Sequence, residues 1–328
     1  VRDTVDAYDG SIRIDPVRAP DEQRESTRAA RATKETKGES VEMSAATDLE
    51  SRPLVGTQPP ALRLEPRGRI LRYKADRRPV AWVLSMFAIH AVVYLFASVP
   101  VAALCVVPLA IGSMFVAPIN HHHQHLPTFQ AAWLNRIYEL VLALQTGIAP
   151  FGWVLHHNLG HHVNYLHQRP HAQPDESKWT RRDGSQMGRL EYTIDLLLHH
   201  QIDILRVGLR YPKYLRAFLW MKLPLWSILV AAFYWNPVNA LLVIVLPGFI
   251  TLAHTAWATY EHHAGHHPTS HYDASVNNLS PLYNFLTCNL GYHTAHHKRP
   301  GLHWSLLPQV HREIESRIPP EQIRRSFW

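Results

Sequence analysis

Cysteine is nearly missing from this chain: Cys105 and Cys288 are the two in 328 residues. That scarcity excludes a disulfide scaffold, a zinc site of four cysteines and an iron–sulfur cluster held by this chain's thiolates alone. A Gly-rich phosphate loop, zinc-finger spacing and an aromatic RNA-binding run are absent too. The net charge of +7 therefore lacks the context of a nucleic-acid partner. Charge is also scarce over most of the length. Residues 1–78 hold 16 of the 33 Lys and Arg and 14 of the 26 Asp and Glu, so the remaining 250 residues are unusually apolar. The whole-chain average, 46% hydrophobic and 18% charged, resembles a soluble enzyme and describes no actual part of the molecule.

Residues 1–60 carry no periodic apolar pattern and are expected to be a disordered charged tail. They lack the apolar core of a secretory signal. The first residue is Val, and Met43 opens MSAATDLESRP, so the stretch before it is expected to be an over-extended gene model. Residues 61–78 form a basic flank with Arg67, Arg69, Arg72, Lys74, Arg77 and Arg78, and residues 79–328 the main domain.

What is present is apolar length and histidine. Val80–Val99 has no charge, and after Pro100 a second uncharged run reaches Ile119. Phe218–Trp235 and Val238–Tyr260 repeat the plan around Asn236 and Pro237, with Lys222 the single charge. Each run is long enough to cross a hydrocarbon layer of about 30 Å. The expected fold is all-α: an integral membrane protein with four transmembrane helices in two hairpins. The tips lack Lys and Arg, whereas the stretch between the hairpins is basic, which places the termini and that stretch in the cytoplasm. Residues 131–154 and 190–210 mix apolar and charged positions and are expected to be amphipathic interfacial helices.

Twenty-four histidines are bunched rather than scattered. HHHQH spans His121–His125, HHNLGHH spans His156–His162, EHHAGHH spans Glu261–His267, and HTAHH spans His293–His297. On an α-helix, residues three and four apart share a face. This pairs His121 with His125, His157 with His161, and His293 with both His296 and His297. His162 adjoins His161 and can reach a second point, so two metal ions are expected. Imidazoles alone do not choose among zinc, copper, iron and nickel. His90, His167, His171, His271, His303 and His311 are expected to be surface or satisfied core residues. His199, His200 and His254 are weaker ligand candidates, and His122, His123, His156, His266 and His267 have no assigned role.

These motifs, in this order over roughly residues 80–310, resemble the membrane fatty acid desaturase and hydroxylase superfamily. NLGYHTAHHKRPGLHWSLLP resembles the bacterial desaturase-like form of its third histidine box. The resemblance implies a cytoplasmic histidine-rich cap holding two Fe ions, with O2 as co-substrate. The implied ligands are His121 and His125; His157, His161 and His162; His293, His296 and His297; and one from just past the last span, His262 with His263 close behind. Glu261, Asp175, Glu176, Asn158 and Asn289 are weak candidates to polarise or hydrogen-bond near the ligands, each more expected as an ordinary polar residue. Trp304 is expected to be a packing or interface anchor.

The implied reaction is desaturation of a long acyl chain on a lipid, on CoA or on an acyl carrier. Hydroxylation of an alkyl, acyl or carotenoid chain is the alternative, and a metal transporter a distant one. The chain carries no flavin, nicotinamide or cytochrome b5 module, so electrons must come from a ferredoxin, a rubredoxin or a cytochrome b5-like protein with its reductase. A bacterial inner membrane is the expected location.

Overall fold

The computed structural model describes residues 68–166, 178–265, 268 and 270–327. The tail at 1–60, Met43, Arg67, His167, Arg169, His171, Asp175, Glu176, His266 and His267 lie outside the described residues.

The described chain is almost entirely helical. Helix α1 (Arg77–Phe96) follows a short 3-10 turn, with Pro79 in its first turn, where a missing N–H is harmless. Extended backbone at Ala97 and Ser98 separates it from α2 (Val99–Met114). The chain then hinges at Phe115 and continues as α3 (Val116–His125). Helix α4 (Ala132–Thr146) ends at Gly147, whose φ of 70° is left-handed, and a Cβ there would lie 2.7 Å from the Gly248 carbonyl oxygen.

After a π-helical segment at Val154–His161 come α5 (Arg189–Arg210) and α6 (Pro212–Trp235). Asn236 precedes Pro237, so it leaves the helical region, and its side-chain oxygen accepts from Asn239 N–H at 3.1 Å. A second π-helical segment, Ala240–Val245, leads into α7 (Leu246–His263). Three short helices follow: α8 (Pro281–Leu286), α9 (His293–Lys298) and α10 (Leu307–Ile314). A two-residue parallel pairing joins Asn277–Asn278 to Ile323–Arg324.

Among the described residues, four continuous helical stretches are long and apolar enough to cross a membrane: Lys74–Phe96, Val99–His125, Pro212–Trp235 and Pro237–His263. Their 23 to 27 residues correspond to about 35–40 Å of helix. Leu95, Phe96, Leu104, Trp220, Trp226 and Trp235 stay exposed on them, as suits a lipid solvent. The second and fourth stretches run past the apolar segments seen in the sequence and carry their histidines on the last helical turns.

Two buried polar residues inside the spans, His90 and Asn239, are paired. His90 is 5% exposed, with Nδ1 2.8 Å from the Val243 carbonyl and Nε2 3.2 Å from Ser113 Oγ. The carbonyl can only accept, so Nδ1 donates and Nε2 accepts the hydroxyl proton. Val243 lies in the second π-helical segment, where the widened turn disturbs the regular carbonyl pairing. Asn239 donates to the carbonyls of Tyr94 and Ala97, satisfying the C-terminal end of α1.

The amphipathic stretches are helices. On α4, Asn135, Tyr138, Glu139 and Leu142 are buried while Trp133 and Ile137 are exposed. On α5, Ile204 and Val207 are buried, and Leu190, Ile194, Leu198, Leu205 and Leu209 form an exposed apolar stripe.

Candidate metal centre

Box one sits on α3, the last turns of the second spanning stretch. His121 and His125 are four apart on an α-helix, and their Nε2 atoms lie 3.2 Å apart. Box two is π-helical, and there the i→i+5 hydrogen bonding brings residues five apart onto one face. His157 is thus paired with His162, Nε2 to Nε2 3.0 Å, and not with His161 as α-helical spacing predicted. The expected triad in box three also divides. His293 pairs with His297 at 3.1 Å, while His296 turns to His162 at 3.0 Å.

Two clusters result. In the first, one ring nitrogen from each of His121, His125, His157, His162 and His296 lies within 4.8 Å of every other. The second joins His161, His263 and His297 by the same criterion. His293 adjoins it, 3.0 Å from His263 Nε2 and 3.1 Å from His297 Nε2. The clusters touch through the adjacent pairs His161–His162 and His296–His297. The rings of His162 and His297 stack with centroids 4.3 Å apart.

His263, the second choice for the residue past the last span, occupies the position expected for His262. Its Nε2 lies 3.1 Å from that of His161 and 3.1 Å from that of His297. His262 stands behind, stacked on His293 at 4.2 Å and 13°, with Nε2 3.3 Å from the Tyr283 hydroxyl. Adjacent helical residues point about 100° apart, so the two cannot both aim at the second cluster. The other eight expected ligands all come together.

These contacts cannot all be hydrogen bonds. His263 Nδ1 lies 2.9 Å from the Ala274 carbonyl oxygen, so it is the protonated nitrogen and Nε2 carries a bare lone pair. That lone pair faces three other Nε2 atoms. Nδ1 of His161, His162, His293 and His297 is buried without a hydrogen-bond partner. The spacing instead fits shared cations. Two nitrogens each about 2.1 Å from one ion are about 3.0 Å apart at a right angle and about 3.4 Å apart at the tetrahedral angle.

Burial above all, and then the charge of neighbouring histidines, holds His157, His161, His162, His293, His296 and His297 well below the usual imidazole range. They are neutral near pH 7, as ligands must be. Indoles close the walls. Trp153 stacks on His121 at 5.4 Å, and Trp179, 1% exposed, stacks on His263 at 5.2 Å.

The other candidates divide clearly. His123 Nδ1 accepts from Thr128 N–H, and its Nε2 is 3.6 Å from Glu139, away from both clusters. His122 stacks on His121 with its own Nε2 unpartnered. His303 bonds Asp76, His200 bonds the Leu197 carbonyl, His199 pairs with Asp195, and His254 is exposed. His156 is outside both clusters, and burial lowers its pKa to about 4. Glu261 forms a half-exposed ion pair with Arg189, so it is a surface acid. Asn158 is completely buried and donates to the Gln124 carbonyl, tying box two to box one. Asn289 donates instead to the Trp304 carbonyl, and Trp304 donates to Asp76. Trp153, Trp179 and Tyr165 were not legible from sequence, because no spacing rule marks an aromatic that packs on a ligand.

The sequence profile of the fatty acid desaturase family matches residues 97–327, from the second span through all three histidine boxes. The chain belongs to the fatty acid desaturase family. Membership makes it an oxidoreductase of the desaturase and hydroxylase type and a membrane protein, and family enzymes are metal-dependent and act on lipids. No curated protein and no solved structure matched the chain.

Proposed function

We propose that the protein is an O2-dependent di-iron desaturase of long acyl chains. The observation that carries this reading is the division of adjacent histidines between two touching clusters, by which boxes two and three each serve both. One ion would be held by His121, His125, His157, His162 and His296, the other by His161, His263, His293 and His297. A bound iron pair would supply the O2 reduction and oxidising power needed to break an unactivated C–H bond. The chain's own residues keep the imidazoles neutral by burial, orient His263 through the Ala274 carbonyl, and keep water from its ring face with Trp179.

The four spans are proposed to form two hairpins with both termini and the histidine cap in the cytoplasm. The exposed basic residues Arg69, Lys74, Arg77 and Arg78 at the start of the first span support that orientation. The Leu/Ile stripe of α5 supports a position in the membrane interface. Electrons are proposed to come from a separate ferredoxin, rubredoxin or cytochrome b5-like donor.

Hydroxylation begins with the same hydrogen abstraction and differs in whether oxygen is transferred or a second hydrogen lost, a matter of substrate placement. A transport role is disfavoured because both clusters lie at span ends, while His90 inside the spans is committed to Val243 and Ser113. The test is mass spectrometry of lipids from a host expressing the protein with a matched donor. Loss of two hydrogens is the expected result. Gain of one oxygen would assign hydroxylation, and an unchanged pool with a working donor would refute both.

A further inference from the structure

Beside the second cluster lies a phenol that the reaction above does not use. Tyr165 is 3% exposed, and its ring centroid is 4.2 Å from that of His297, 5.9 Å from His161 and 6.0 Å from His263. Its hydroxyl is 2.5 Å from Nδ1 of His271, a half-buried residue on the loop past α7. A phenol has one proton to give and an imidazole nitrogen can take it, so the pair has a defined direction. Burial pushes the Tyr165 hydroxyl above the usual phenol range, and the resting group is the neutral phenol. A neutral phenol loses an electron readily only if its proton has somewhere to go, and here the acceptor is in contact. The ring itself lies against His297, a ligand of the proposed metal centre.

We propose that Tyr165, hydrogen-bonded to His271, donates an electron to the metal centre when no oxidisable chain is bound. The inference rests on the di-iron reading. Reducing O2 to two waters takes four electrons. In productive turnover the external donor supplies two and the cleaved C–H bonds supply two. Without substrate the last two are missing. Tyr165 supplies one: its O–H bond breaks, the electron passes by way of His297, and the proton moves to Nδ1 of His271. A neutral tyrosyl radical and an imidazolium remain. The external donor supplies the other missing electron, and later one more that restores the phenol as His271 returns its proton. Oxidising equivalents are thereby led away from the ligand imidazoles, Trp153 and Trp179.

The test uses the full-length iron-loaded protein, chemically reduced, mixed with O2 without substrate and freeze-quenched from milliseconds to minutes. Electron paramagnetic resonance should show a tyrosyl radical in the wild type. The signal should vanish in Tyr165→Phe, and its yield should fall several-fold in His271→Gln, which leaves the phenol in place. A signal of unchanged size in both variants, or none in the iron-loaded wild type, would overturn the proposal. Iron content of the same samples separates the two claims. A chain that binds no iron sinks the metal assignment and Tyr165 with it, whereas two irons without a radical sink the role of Tyr165 alone.

Discussion

Replacing His263 and His262 separately distinguishes the ligand from its neighbour. His263→Ala removes a nitrogen that lies 3.0–3.1 Å from three others and leaves three donors in the second cluster. Binding free energy of about 10–16 kcal/mol for a four-donor structural site, divided evenly, is about 2.5–4 kcal/mol per donor. At 1.4 kcal/mol per decade, the second ion should bind about 100- to 1,000-fold more weakly. His262→Ala removes a stacked ring and one long hydrogen bond behind His293. Loss of such a supporting contact costs at most about 10–100-fold in affinity. The assay is iron content after dialysis against a graded chelator series, with Mössbauer spectroscopy to count inequivalent irons. His263→Ala should fall to one iron per chain at chelator strengths where His262→Ala keeps two. The reverse order would refute the ligand assignment.

Three further outcomes follow from the same geometry. Deleting Leu159 would leave His162 four residues past His157, a spacing that an α-helical turn puts on one face as the π-helical turn does at five, so two irons and membrane insertion should both be retained; loss of iron would show that the widened turn itself is required. Gly147→Ala forces a Cβ to 2.7 Å from the Gly248 carbonyl at a left-handed φ, so the protein should lose about 1–3 kcal/mol of stability, seen as a lower thermal midpoint with unchanged iron content. The cluster histidines outside the spans have depressed folded-state pKa values, so below about pH 6.5 the unfolded chain binds more protons than the folded one. Their contribution is complete above that pH and is lost as pH falls, at up to about 1.4 kcal/mol per pH unit for each group. Metal-free protein should show a falling midpoint from pH 7 to pH 5, and a flat profile would contradict the burial argument.

The four spans were legible because the bilayer demands length and uniform apolarity, and both leave a plain trace in sequence. The gathering of histidines into clusters able to hold metal was legible because imidazoles at short spacing have few other uses. The partition of the histidines between the two clusters was not, since a face rule presumes helix type. His157 with His161 was the α-helical expectation, and the π-helical turn exchanged His161 for His162. Nothing in HHNLGHH announces that turn, because helix width is set by the packing of box two against α5 and α6 through Val154, Leu155, Ile204 and Phe218. Between His262 and His263 the sequence offers two identical side chains, and the choice depends on the rotation of α7 about its own axis. Glu261 illustrates the opposite case: beside the ligands in sequence, it pairs with Arg189 at the surface.

The central claim is that one chain holds two ions through histidine nitrogens on adjacent residues. The most direct measurement is the metal content of the purified, iron-reconstituted protein together with its X-ray absorption spectrum. The account predicts two irons per chain with nitrogen-dominated coordination. One tightly bound ion per chain, or two irons in oxygen-dominated coordination, would contradict it.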